Sequence, residues 1–193
     1  SKVLFKMSQF TFLNNKTVLV TGVSSSDQRF KNIGQALVEL LVENDAQVIA
    51  VSRDIKKCEK AVKHLTEQGL PVVAKQCDIS NHSDVESLFK WVEETYGSLN
   101  YLINNAGTEG VLEPVDQLSL DNIDSVIDIN GKGTLYCLKE GISLMKRALS
   151  NDSEMDCSII NVGSIAAEIG MPNTSVYAYS KAGIASITRV VTI

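Results

Sequence analysis

Three side chains near the C-terminal end of the chain can do chemistry together. Ser164, Tyr177 and Lys181 are separated by thirteen and then four positions in SIAAEIGMPNTSVYAYSK. If the chain is helical from Ser175 onward, Tyr177 and Lys181 lie one turn apart on the same face. An ammonium held beside a phenol favours the phenolate. It would draw the tyrosine pKa down from its ordinary ~10 toward the working pH. A tyrosine tuned in this way gives or takes a proton readily. Ser164, at the end of a preceding strand, can hydrogen-bond the same substrate oxygen. Tyr179 lies two positions from each partner and faces elsewhere on a helix. Tyr and Lys at this spacing occur on many helices, so the weight of the reading falls on the elements that position them.

Those elements alternate. Lys16–Gly22, KTVLVTG, is a short β-branched run ending in glycine and reads as a buried strand. Apolar residues then recur at helical spacing over Ile33–Asn44. Further strands are expected at Gln47–Ser52, Pro71–Cys77, Leu99–Asn104 and Cys157–Val162. Asp54 is placed to cap a helix running to about Gln68, and Ser80 or Ser83 one running to about Tyr96. Ser119 to about Ser150 reads as one long helical region containing Gly131 and Gly133, and Ser175–Ile193 as the last helix. Strand–helix alternation of this kind implies an α/β doubly wound parallel sheet, with right-handed crossovers placing helices on both faces. Residues 16–193 form one domain in this reading, preceded by an extension over residues 1–15. Met7 is a candidate natural start.

In such sheets ligands bind beyond the carboxyl ends of the strands. Polar and glycine residues collect at five of those ends: Gly22, Arg53, Asp78, Asn105-Ala106-Gly107 and Ser164. Thr21-Gly22 and Asn32-Ile33-Gly34 bracket the first strand-to-helix turn, where glycine lets backbone approach a pyrophosphate and the helix N-terminus attracts negative charge. Nine residues separate Gly22 from Asn32, so a compact GxGxxG is absent. Ser24 and its neighbours Ser25 and Ser26 can offer hydroxyls to phosphate, and Arg29 and Lys31 can offer charge. An acid at the end of the second strand would bind ribose hydroxyls, whereas an arginine suits a 2′-phosphate. Ser52 stands where the acid would be and Arg53 follows, which favours NADP(H) over NAD(H). Asp54 is read as the helix cap. Asp78 can contact an adenine ring or close a turn. Asn130, mid-helix, has two readings: a local helix distortion, or a carbonyl or water contact that completes a proton path to Lys181.

The composition narrows the class. With 193 residues, 44% hydrophobic and 21% charged, the chain suits a soluble globular domain with a sizeable core. A net charge of −5 argues against a nucleic-acid surface. Apolar runs fall short of the ~20 residues that cross a bilayer, and no signal-peptide pattern opens the chain. Cys58, Cys77, Cys137 and Cys157 are widely spaced without a CxxC pair, so no metal site is expected and the cysteines read as reduced thiols, those of Cys77 and Cys157 buried. A reducing, cytoplasmic location follows. His64 and His82 sit in polar stretches and are read as solvated.

Taken together, TG…NIG, CDI, NNAG, Asn130 and Ser164-x12-Tyr177-x3-Lys181 resemble the short-chain dehydrogenase/reductase family, in its order and nearly at its spacing, from Lys16 to the chain end. The resemblance implies a Rossmann-type fold and carbonyl–alcohol redox with NAD(H) or NADP(H). It also implies a small-molecule substrate and assembly as homodimers or homotetramers. By resemblance, Tyr177 is the general acid/base, and Lys181 lowers its pKa and binds the nicotinamide ribose. Ser164 orients the carbonyl and Asn130 supports the relay. The implied cofactor-binding set is Gly22, Ser24, Ile33, Gly34, Arg53, Asp78, Asn105, Ala106, Gly107, Tyr177 and Lys181. Three departures stand out. Asn32 replaces the middle glycine of TGxxxGxG, in a loop six residues longer than the pattern. The Asn130-to-Ser164 spacing is stretched. The chain ends inside the helix carrying Lys181, where family members continue, so it reads as part of a longer protein. The lengthened loop resembles that of enoyl reductases, but their Tyr-x6-Lys is not reproduced, because Thr174 stands seven before Lys181. An enoyl reductase and a non-catalytic nucleotide-binding or scaffold protein of the same fold are the alternative readings.

Overall fold

A strand whose side chains are apolar in both directions must be covered on both faces. β1 (Thr17–Thr21) is such a strand, buried along its whole length. The computed structural model describes residues 10–25 and 31–191, and in it β1 sits at the centre of a five-stranded parallel sheet. Its companions are β2 (Gln47–Ser52), β3 (Val72–Gln76), β4 (Tyr101–Asn104) and β5 (Ser158–Asn161), in the spatial order β3-β2-β1-β4-β5. In register, Leu19 lies beside Ile49 and Leu102, and Asn104 beside Asn161.

The period-2 alternation of strand side chains divides the core in two. Val18, Val20, Val48, Ala50 and Ile103 pack on one face under α1 (Ile33–Val42) and α2 (Ile55–Thr66). Leu19, Ile49, Val51 and Leu102 pack on the other under α3 (His82–Tyr96) and α5 (Thr134–Asn151). Phe10 and Leu13 join the first of these clusters from a turn before β1, and the Phe10 amide donates to Asn44 Oδ1. The proposed start at Met7, and Ser26 and Arg29 of the glycine loop, lie outside the described residues.

Short polar side chains stop and start the helices as expected at Asp54, whose Oδ1 accepts from the Lys57 amide. At α3 the cap is neither Ser80 nor Ser83. Asn81 caps it, with Oδ1 accepting from the amides of Ser83 and Asp84, because the Ser80 hydroxyl is already donated to Asp78. Gly97, in the left-handed conformation (φ 76°), closes α3. The single long helix expected from Ser119 is not continuous. A short α4 (Leu120–Val126) passes into a π-helical stretch, Ile127–Gly133, before α5 begins. The last helix, α6 (Ser175–Val190), packs on that stretch and on a 3-10 turn, Ile165–Ala167, that follows β5. β5 begins at Ser158, which leaves Cys157 outside the strand and only half-buried. His64 and His82 are not simply solvated: each faces a carboxylate, Glu39 at 3.1 Å and Glu140 at 3.2 Å. No helix among the described residues is long and apolar enough to cross a membrane.

Candidate active site

The strand order reverses between β1 and β4, since the chain leaves β1 in one direction and returns on the other side. That divergence opens a crevice at the carboxyl edge of the sheet. Here the crevice has a volume of about 520 Å³ and is lined by the ends of four strands. Its floor is backbone pressed against backbone. Gly22 has φ 76°, and a Cβ there would lie 2.6 Å from the Ala106 Cα. A Cβ on Gly34 would lie 2.7 Å from the Gly22 carbonyl oxygen and 2.8 Å from Asn105 Nδ2. Only glycine fits either place, and their absence of side chains brings the α1 N-terminus onto the strand ends. The contact is fastened by polar groups: Asn105 Nδ2 donates to the Thr21 carbonyl (2.9 Å), and Thr21 Oγ1 accepts from the amides of Asn105 and Ala106.

The remaining dinucleotide candidates fall around this floor. Asn32, standing where the family pattern has glycine, does two jobs. Its Oδ1 caps α1 by accepting from the Gln35 amide (2.8 Å), and its Nδ2 donates to both the carbonyl and the hydroxyl of Ser24. The long loop is thus tied back at both ends by one side chain. Ser24, Ile33 and Gly34 line the crevice beside the helix N-terminus, where peptide dipoles favour an anion. Arg53 is exposed and lines the crevice at the end of β2. Lys31 lines it too, with its ammonium paired to Glu39. Asp78 lines the crevice while its carboxylate closes a turn, accepting from the amide and hydroxyl of Ser80.

The chemical side chains lie past Gly107. Lys181 is buried, and its Nζ donates to the Val162 carbonyl at 2.7 Å. Burial lowers its pKa, because desolvation penalises the ammonium. The Nζ is 5.9 Å from the centroid of the Tyr177 ring and 3.5 Å from where a Gly107 Cβ would stand. The two side chains share a helix face, as their spacing requires. Ser164 caps the turn that packs on α6, its Oγ accepting from the Ala166 amide at 3.2 Å, which leaves its hydroxyl proton to donate.

Asn130 is fully buried in the π-helical stretch, and its side chain is committed elsewhere than to Lys181. Oδ1 accepts from the Thr108 amide and Nδ2 donates to the Thr108 carbonyl, both at 2.8 Å, so the loop after β4 is held like a strand partner. Nδ2 also donates to Ser180 Oγ (2.9 Å), which in turn donates to the Tyr177 carbonyl (2.7 Å). The extra residue of the π turn breaks the α-helical ladder at this point.

Sequence reasoning placed Thr21 at the first turn without its hydroxyl's role, and it assigned no hydrogen-bonding role to Thr108 or Ser180. Only Ser180 carried a local signal, a small polar residue three positions after Tyr177 on the face that α6 buries. Its partner Asn130 lies 50 positions away.

The family model for short chain dehydrogenases matches residues 16–192. A 3beta-hydroxysteroid dehydrogenase of Mediterraneibacter gnavus is 31% identical over 189 residues, 98% of this chain and 63% of that protein. An uncharacterised oxidoreductase of Staphylococcus aureus is 30% identical over 179 residues, 93% of this chain and 71% of its own length. Among solved structures, an NAD+-bound xylitol dehydrogenase superposes with a TM-score of 0.82 at 28% identity, covering 92% of this chain and 64% of that one. A metagenomic short-chain oxidoreductase in complex with NADP has the same fold, with a TM-score of 0.80 at 23% identity over 92% of this chain and 75% of its own. The chain belongs to the short-chain dehydrogenase family. It spans less than two thirds of the first of these relatives.

Proposed function

We propose that the protein interconverts a ketone and a secondary alcohol, with NADP(H) as the hydride carrier and Tyr177 as general acid/base. The observation that carries this reading is the Tyr177–Lys181 pair on α6, with the buried ammonium set against Gly107 at the far end of the dinucleotide crevice. The residues fit a dinucleotide. The glycine floor brings backbone to the ligand, the α1 N-terminus and Arg53 offer positive potential to phosphates, and the volume lies in the ordinary range for cofactor sites. Bound there, the nicotinamide supplies or accepts the hydride. In the reducing direction the carbonyl π pair moves onto oxygen, and the Tyr177 hydroxyl gives that oxygen its proton. Lys181 stabilises the phenolate left behind until solvent reprotonates it. Ser164 donates its hydroxyl to the same oxygen. A positioned acid of this kind contributes ~10²–10⁴-fold.

The phosphate preference rests on β2. Asp54 is engaged as the cap of α2, no acid stands at Ser52, and Arg53 lines the crevice, so Arg53 would be the residue to hold a 2′-phosphate on the adenosine ribose. With the full-length protein, Tyr177→Phe should abolish NADPH-dependent ketone reduction and leave NADPH binding by fluorescence titration nearly unchanged. Retained turnover would remove Tyr177 from its role. Arg53→Ala should weaken NADPH far more than NADH, and equal losses would reject the preference for the phosphorylated cofactor.

A further inference from the structure

The two ends of the crevice differ in charge and polarity. Arg53 stands at the dinucleotide end, with Lys31, paired to Glu39, and Asp78. Past Gly107, the loops over residues 105–119 and 162–174 leave the adjacent parallel strands β4 and β5 side by side, since Asn104 and Asn161 are register partners. These two segments contain no Lys, Arg or His. They expose Glu109, Glu113 and Glu168, together with apolar side chains. Val111 is 51% exposed on the first loop, and Ile165 and Ile169 are 66% and 52% exposed on the second.

This exposure does not come from slack chain. The Thr108 amide and carbonyl are held by Asn130, and the Val111 amide donates to Asn122 Oδ1 at 2.8 Å. Gly110, at φ 71°, is pressed against Val126 and Asn122. Ile165 immediately follows Ser164, on the turn that Ser164 caps. Apolar groups are therefore presented by held backbone on the segments that follow β4 and β5, and the charged side chains of those two segments, Glu109, Glu113, Asp116 and Glu168, are all carboxylates.

We infer that the substrate of this site is an uncharged, predominantly apolar ketone or secondary alcohol, and that the carboxylate rim discriminates against phosphorylated and carboxylated ones. The inference rests on the oxidoreductase reading above and adds the substrate class to it. Each methylene the substrate buries against Val111 and Ile165 should strengthen transition-state binding roughly fourfold. A carboxylate at the far end of the substrate would lose that gain and meet charge of its own sign, a repulsion that added salt screens.

The test uses the full-length protein with NADPH and three ketones, 2-butanone, 2-octanone and 7-oxooctanoate, the last two matched in length. The expected kcat/KM rises at least tenfold from 2-butanone to 2-octanone and falls at least tenfold again to 7-oxooctanoate. Added salt and Glu109→Gln/Glu113→Gln should narrow the second gap. Val111→Ser and Ile165→Ser should flatten the chain-length dependence, lowering kcat/KM for 2-octanone at least fivefold more than for 2-butanone. Equal or better use of 7-oxooctanoate overturns the inference. So does an unaltered chain-length slope in the serine variants accompanied by a changed oligomeric state, which would make this rim an interface between copies. Calorimetric binding of the two eight-carbon ketones to the NADPH complex of Tyr177→Phe separates the two readings. Preferential binding of 2-octanone without turnover in the parent refutes the redox chemistry and upholds the specificity. Equal binding, or no binding of 2-octanone, refutes the specificity.

Discussion

Replacing Ser180 by alanine should loosen the connection between the π-helical stretch and α6. The Ser180 hydroxyl is buried and used twice: it accepts from Asn130 Nδ2 at 2.9 Å and donates to the Tyr177 carbonyl at 2.7 Å. Removing it leaves one N–H of a fully buried amide without a partner. A stranded buried donor costs ~1–3 kcal/mol. A domain of this size shifts its melting temperature by ~2–4 °C per kcal/mol. The expected fall is therefore about 2–12 °C. Asn130 also grips Thr108 on both its amide and its carbonyl, so a loosened amide also frees the loop beside the candidate carbonyl site. Turnover should drop while the KM for NADPH stays near the parent value, because the crevice floor does not touch Ser180. Ser180→Thr keeps the hydroxyl and should recover most of both losses. The assay is a calorimetric melt of the full-length protein with parallel steady-state kinetics. A Ser180→Ala variant that melts within about 1 °C of the parent and keeps its kcat would refute the role assigned to this hydrogen-bond chain.

Gly34→Ala should be destabilising by ~1–3 kcal/mol, the usual cost of overpacking, because the new methyl would meet the Gly22 carbonyl at 2.7 Å. A urea midpoint equal to the parent's would show that the strand end can retreat. Lys181→Met should shift the pH dependence of stability. Burial lowers the pKa of Lys181 from 10.5, so the unfolded chain binds this proton more tightly than the folded one. Stability from this group therefore rises with pH from the lowered value up to the unfolded one, and its cost is fully present below that window. Relative to the parent, the methionine variant should be most favoured near pH 7 and lose ground toward pH 10 in urea titrations. A difference that grows with pH would contradict the buried ammonium. For the thiols, burial pushes Cys58 and Cys77 up to about 12. Neither should react with iodoacetamide in the native protein at pH 8, and rapid labelling observed by mass spectrometry would count against the packing described for the two core layers.

The alternation of apolar strands and amphipathic helices was legible in the sequence because both periods are local, and the glycines of the first turn were legible because nothing else fits there. The cap at Asp54 was readable for the same reason. The cap at Asn81 was not, since three neighbouring residues could each have served and the choice depended on Ser80 being engaged by Asp78. Tyr177 and Lys181 share a face because a helix has 3.6 residues per turn, and the sequence by itself determined that much. What only the tertiary structure decided was where their partners lie. Asn130 reaches Thr108 and Ser180 across 22 and 50 positions. The Lys181 ammonium reaches the Val162 carbonyl across 19. Such contacts depend on how two helices and two strand ends are brought together, and no periodicity along the chain records that. The mid-helix asparagine was visible as an anomaly. That its amide joins two segments, rather than merely bending one, follows from the packing of α6 against the π turn.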